Sequence, residues 1–317
     1  MKFLQFFHGV GENASSLLHR AILQQSMRER NNEKRDELTL FSEELVYAYP
    51  ATAIDVLGYH AKFMIGIGLG WHYLLDIIWT LEKLRPFGQR LRILDAGGSL
   101  GLLQFILASQ GHAVLSVDAF YRDVPKQCDN IIQVRLSGSS SSLETDYVKR
   151  VPENYRTEAR LPLRSEVGWG GIEFHCADLG YMPSVKTNEF DAVVSISALE
   201  HNSRESLVPI LKEIRRVAKP DAPLVFTLST SINGIVFHEP SHSYCYDEEE
   251  LKEIYGLSPH TLSNFSQKEE YQEMLAASKF CKKYLSSFYF QSDKSGMPNG
   301  VWIPQYLPFG LFCINKK

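Results

Sequence analysis

Cysteine is scarce in this chain of 317 residues: Cys128, Cys176, Cys245, Cys281 and Cys313 are widely scattered and form no C-x-x-C pair. That spacing argues against a disulfide framework and a zinc site, and it fits a reducing cytoplasm. An excess of positive charge is also missing, since 33 lysines and arginines face 37 aspartates and glutamates, for a net charge of −4. A protein that grips nucleic acid through its phosphates would carry the opposite balance, so no nucleic acid is expected as a partner. The most apolar stretch, FMIGIGLGWHYLLDIIWTL, contains His72 and Asp76. It therefore reads as a buried protein helix, and no transmembrane segment is expected. The N-terminal run MKFLQFFHGVGENASS holds one lysine and is broken by Gln5, His8 and Gly9, short of a secretory signal, so a cytoplasmic location is expected.

What is present is an ordinary globular composition, 44% hydrophobic and 22% charged, in a chain longer than one average domain. Residues 1–70 read as a helical N-terminal cap, and the charged MRERNNEKRDE within it reads as a solvated face. From Trp71 the apolar residues Leu74, Leu75, Ile78 and Leu81 fall at helical spacing and predict an amphipathic helix. Beyond it, short apolar runs alternate with helical patterns: RILDA, VLSVDAF, IEFHCAD, FDAVVSIS, SLVPILKEIRRVAK and PLVFTLS, then the late strands SSFYF and FGLFCIN. Strand alternating with helix predicts an α/β fold, a Rossmann-like doubly wound, mostly parallel sheet with helices on both faces. Residues 71–317 are expected to form this domain, with insertions at about 119–171 and 258–285. Asp247 with Glu250 reads as a capping box and Gly256 as the end of the helix that it opens.

The chemistry gathers at LRILDAGGSLG, a strand running through a glycine turn into a helix. Such a turn presents free backbone N–H groups and the positive end of a helix dipole to a ligand at the carboxyl ends of the strands. Gly97, Gly98, Ser99 and Gly101 do not match the dinucleotide spacing G-x-G-x-x-G, and Asp95 would repel a pyrophosphate. The same carboxylate suits a ligand that carries an ammonium group and no phosphate. The motif LDAGGSLG resembles the first motif of the class I S-adenosylmethionine-dependent methyltransferases, with Ser99 in place of a glycine. The resemblance continues through FDAVVSISALEHN and IRRVAKPDAPLVFTL, and it implies a seven-stranded sheet and S-adenosylmethionine as cofactor.

The resemblance also implies a set of cofactor residues. Asp95, Gly97, Gly98 and Gly101 would line its methionine and ribose portion, Asp118 would accept hydrogen bonds from the ribose hydroxyls, and Asp178 would reach the adenine amine with Leu179 against the ring. Ser197 joins this set from the end of the fourth strand of the family pattern. Each aspartate alone could be a helix N-cap, but three in register with the glycine turn favour the cofactor.

Methyl transfer needs an acceptor to be positioned and, where protonated, relieved of its proton. In SALEHN, His201 is the candidate general base, with Glu200 as a candidate acceptor contact. Residues 238–242 spell HEPSH, which matches H-E-x-x-H, but Pro240 cannot sit inside the helix that a zinc protease needs, so no metal is expected. His238, His242 and Tyr244 read instead as acceptor contacts on a loop. The expected activity is methyl transfer to a small-molecule or lipid-like acceptor, oxygen first, with nitrogen and carbon left open. A nicotinamide-dependent oxidoreductase and a non-catalytic regulatory protein of the same fold stand as alternatives, and a homo-oligomer is left open.

Overall fold

The computed structural model describes residues 35–64, 69–119, 122, 132–138, 169–238, 242–279, 281 and 307–316. In chain order the elements are β1 (Glu37–Leu40), α1 (Glu44–Ala48), α2 (Pro50–Phe63), α3 (Trp71–Leu84), β2 (Arg92–Ala96), α4 (Leu102–Ser109), β3 (Ala113–Asp118), β4 (Gln133–Gly138) and β5 (Gly171–Cys176). There follow β6 (Ala192–Ile196), α5 (Arg204–Val217), β7 (Pro223–Thr230), β8 (Val236–His238), β9 (Ser243–Cys245), α6 (Glu248–Ile254), β10 (Leu262–Ser263), α7 (Lys268–Ala277) and β11 (Leu307–Ile314).

The main sheet has the order β10-β1-β11-β7-β6-β2-β3-β5-β4. It is parallel except where β11 runs against β7 and β1. The strands of its centre are buried runs: every residue of β3, β5 and β7 is buried. This explains why they read as continuous apolar segments rather than alternating ones, because a parallel sheet is covered on both faces. The architecture is Rossmann-like, as expected, with one correction: among the described residues the sheet has nine strands rather than seven. One addition, β4, comes from the 119–171 insertion and pairs with β5, and β10 comes from the 258–285 insertion. Another, β1, falls in a stretch that reads as helical, and its four residues are held as a strand by antiparallel pairing with β11, Leu38 opposite Leu311. The expected strand SSFYF lies outside the described residues.

Two further expectations change. The apolar stretch around residue 70 is not one helix, since α2 ends at Phe63 and α3 begins at Trp71. Helix α3 is also not amphipathic in its surroundings: from His72 to Leu84 every residue but Tyr73 is buried. It is covered all round because it lies against β6, β7 and β11 on one side and α1 and α2 on the other. Trp79 lies flat on β11, where a Cβ at Gly310 would come within 2.5 Å of the indole. Buried Lys83 pairs with Glu37 of β1 and stands over the Phe312 ring at 5.4 Å, fixing β1 to the helix. Half of the capping box forms: the Asp247 side chain accepts from the Glu250 N–H at 3.0 Å, whereas the Glu250 carboxylate takes a hydrogen bond from Arg204 at 3.1 Å, and Gly256 follows the helix at φ +58. No helix among the described residues is long and apolar enough to cross a membrane.

Candidate active site

The glycine turn after β2 is built by backbone hydrogen bonds. Gly97 N–H donates to Val117 O at 2.8 Å and Gly101 N–H to Gly98 O at 2.9 Å. Gly97 has φ +76 and approaches Ala198 so closely that a Cβ would stand 2.5 Å from the Ala198 Cβ. Gly98 lies directly on the Asp95 carboxylate and the Ser116 hydroxyl, leaving no room for a side chain. Ser99 adopts φ +42, a left-handed conformation that a glycine would occupy without strain. The buried amide of Gln104, on α4, holds the turn from inside by donating to Ser99 O and Gly101 O, each at 3.0 Å.

Around this turn stand the three acids. Asp118 ends β3 and its Oδ2 accepts the Ser99 N–H at 2.9 Å. Asp95 is buried, accepts from the Ser116 hydroxyl at 2.9 Å, and is pushed up to about 6 by that burial, with the Ser116 hydrogen bond and the Arg122 charge pulling the other way. Arg122, from the insertion and absent from the sequence reading, donates to Ser99 O and to the Ser116 hydroxyl, both at 2.7 Å, and stacks over Phe174 at 4.6 Å. Asp178 is exposed beyond β5 and accepts the Gly180 N–H at 2.7 Å, while Leu179 packs partly buried against the core. Since β2, β3 and β5 are neighbours, the three acids stand at adjacent strand ends.

Beside the turn opens a cavity of about 260 Å3. It brings together Asp95, Gly97, Gly98, Gly101 and Ser197 of the expected residues. It adds a wall that sequence reading missed: His60 and Met64 from the end of α2, Leu69, and Tyr73 and Ile77 from α3. One signal for this wall was visible, the polar His72 and Asp76 inside an apolar run, and it was read only as evidence against a membrane span. Asp118, Asp178, Leu179, Glu200, His201, His238, His242 and Tyr244 are not among the lining residues.

The acceptor-side candidates lie on the turn after β6 and on the hairpin formed by β8 and β9. His201 is exposed, and its Nδ1 lies 3.0 Å from the His242 carbonyl oxygen. His238 ends β8 and His242 precedes β9, so the two are not one helical turn apart; Glu239 and Pro240 lie outside the described residues. Tyr244 packs against Phe237 across the hairpin at 4.9 Å and stacks on Tyr246, whose hydroxyl donates to Asn202 O at 2.8 Å. Glu200 is buried, and burial pushes its carboxyl up to about 8. Tyr73 is 39% exposed as a residue, yet desolvation of its phenol and the nearby Glu200 and Asp76 charges push it up to about 12.

Sheet order, glycine turn and acids at adjacent strand ends define a Rossmann-like domain with a cavity beside the glycine turn. Residues 94–226 match the family described as a methyltransferase domain. No curated protein matches the chain. Among solved structures, a protein of Pyrococcus horikoshii OT3 is similar over 49% of this chain and 54% of that chain, with 21% identity and a TM-score of 0.30, so this chain spans about half the length of that relative. The 1,6-didemethyltoxoflavin-N1-methyltransferase of Burkholderia thailandensis is similar over 86% of this chain and 89% of that chain, with 14% identity and a TM-score of 0.43. For a sarcosine dimethylglycine methyltransferase of Galdieria sulphuraria, so described provisionally, the figures are 84%, 98%, 16% and 0.44.

Proposed function

We propose that the chain transfers a methyl group from S-adenosylmethionine to a small, largely apolar acceptor that carries a protic group, oxygen first among the choices. The observation that carries this reading is the turn from Asp95 to Gly101, tied to Asp118 through the Ser99 N–H and opening directly onto the cavity. The residues fit such a cofactor: Asp95, Gly97, Gly98 and Gly101 line the cavity, and a carboxylate there suits an ammonium group better than a phosphate. In this reading Asp118 holds the ribose hydroxyls and Asp178 with Leu179 holds the adenine. The cofactor supplies an electrophilic methyl group, so the protein has to orient the acceptor, exclude water and accept a proton.

Met64, Leu69, Ile77, Leu102 and Leu103 make the cavity wall apolar, while His60, Tyr73 and Ser197 give it polar handles. That balance suits a small molecule or the head of a lipid. Glu200, His201, His238, His242 and Tyr244 belong in this reading to the acceptor's outer entrance, where the hairpin packs on the turn after β6. Calorimetric titration with S-adenosylhomocysteine tests the cofactor assignment, with a nicotinamide dinucleotide as control. Binding that is lost in Asp118→Ala supports it; a folded protein that ignores S-adenosylhomocysteine and binds the dinucleotide overturns it.

A further inference from the structure

A carboxylate that no motif marks lies behind the cavity wall. Asp76 sits in the middle of α3 with no exposed surface. Its Oδ2 accepts from the Ser197 hydroxyl at 3.1 Å and lies 3.3 Å from His72 Nδ1. Burying a carboxylate is costly even when it is paired, and a leucine here would have served the core better, which points to a role beyond packing.

Ser197, the residue between Asp76 and the cavity, is itself held in an unfavourable conformation. Its φ is +44, in the left-handed region that costs a non-glycine residue about 1 kcal/mol or more. Hydrogen bonds from its N–H to Thr227 O at 3.0 Å and to the Thr227 hydroxyl at 3.2 Å keep it there. The outcome is a cavity-lining serine whose hydroxyl donates to a buried carboxylate. A second carboxyl, Glu200, is buried nearby, and its Oε2 has no hydrogen-bond partner.

Resting on the methyltransferase reading, we propose that Asp76, acting through the Ser197 hydroxyl, accepts the proton that the acceptor loses. The acceptor's O–H or N–H proton passes to Ser197 Oγ as the Ser197 proton passes to Asp76 Oδ2, turning a carboxylate into a carboxylic acid. The electron pair freed on the acceptor forms the bond to the methyl carbon, and the electrons of the broken carbon–sulfur bond stay with sulfur. Ser197 is the catalytic residue in this scheme and Asp76 a positioning residue. The role expected of His201 thus moves to the cavity wall.

The two carboxyls differ in the partners they hold: Asp76 Oδ2 is held by Ser197 and His72, while Asp76 Oδ1 and Glu200 Oε2 each have no hydrogen-bond partner. Burial raises both, and their mutual repulsion keeps the pair from ionising together. His72 favours the charge on Asp76, Tyr73 faces both carboxyls, and Cys245, Tyr246 and Tyr255 face Glu200.

The test uses the full chain with Asp76→Asn, Ser197→Ala and Glu200→Gln. Calorimetry with S-adenosylhomocysteine comes first: wild-type protein that does not bind is a failure of the methyltransferase reading, whereas binding kept in Asp76→Asn isolates the present proposal. Carbon-13 NMR of aspartate carboxyls, with Asp76 assigned by its loss in Asp76→Asn, then follows titration from about pH 5 to pH 9. The Asp76 signal should change in two steps, reduce to one in Glu200→Gln, and shift its midpoint up by about one pH unit in Ser197→Ala. A titration unmoved by both substitutions overturns the proposal. Turnover with phenol and benzylamine as probes, read as S-adenosylhomocysteine formed, should show kcat lowered about 100-fold in Asp76→Asn with KM little changed and the acid limb of the pH profile gone. Wild-type kcat and profile in that variant would equally overturn it.

Discussion

Asp118 and Ser99 meet through a single hydrogen bond, the Ser99 N–H to Asp118 Oδ2 at 2.9 Å, and this bond joins the end of one strand to the turn after its neighbour. It fixes a serine at φ +42, where the chain would otherwise relax. The same carboxylate is the proposed partner of the ribose hydroxyls, so it shapes the site and serves it.

Asp118→Ala should therefore do two things at once. Affinity for S-adenosylhomocysteine, measured by calorimetry, should fall by about tenfold to 100-fold, as lost charge-assisted hydrogen bonds do. Urea unfolding should show a loss of about 1–2 kcal/mol, because the Ser99 turn loses its anchor.

Glu200 makes the stability of the fold depend on pH. Its carboxyl rises from 4.5 to about 8 on burial, so folding favours the protonated form. That contribution is complete below the unfolded value and is lost as pH climbs through the folded one. Glu200→Gln removes the dependence, so stability relative to wild type should grow between pH 4.5 and about 8 and then level off, with a ceiling of about 5 kcal/mol. Urea midpoints at several pH values would show it; a constant difference between the two proteins would refute it.

His175 gives the opposite slope. Buried between the Ser137 and Ser184 hydroxyls, it is lowered from 6.5 to about 4 by burial and then by the Arg122 charge. Its neutral form is the folded one, so stability is intact above pH 6.5 and erodes as pH falls toward about 4. His175→Gln should flatten that acid limb in a thermal melt, by about 2–3 kcal/mol at the low end.

Gly310→Ala tests the packing of α3 on the sheet. The new methyl would meet three atoms of the Trp79 ring at 2.5 Å, in a strand whose neighbours leave no slack. Destabilisation of about 2–3 kcal/mol is expected in urea, and adding Trp79→Leu should recover part of it.

The parallel centre of the sheet was legible because each of its strands is a short apolar run that must be buried on both faces wherever it goes. β1 was not legible, since nothing in ELTL distinguishes strand from helix until β11 offers its edge. Nor was the amphipathic reading of α3 tenable once α2 covered its outer side. The turn residues Asp95, Gly97, Gly98 and Gly101 announced themselves because they fall within seven positions of one another and their spacing is the geometry of the turn.

His60 and Tyr73 on the cavity wall and Asp76 behind it could not be assigned that way: they come from two helices some twenty to forty residues upstream, and only the docking of α2 and α3 brings them to the cavity and to Ser197. The sequence by itself determined the parallel centre of the sheet, the glycine turn and the acids at three neighbouring strand ends, because these depend on neighbours along the chain and on simple burial. The tertiary structure decided what faces the cavity and which carboxylate stands behind it, because those depend on how separate elements pack.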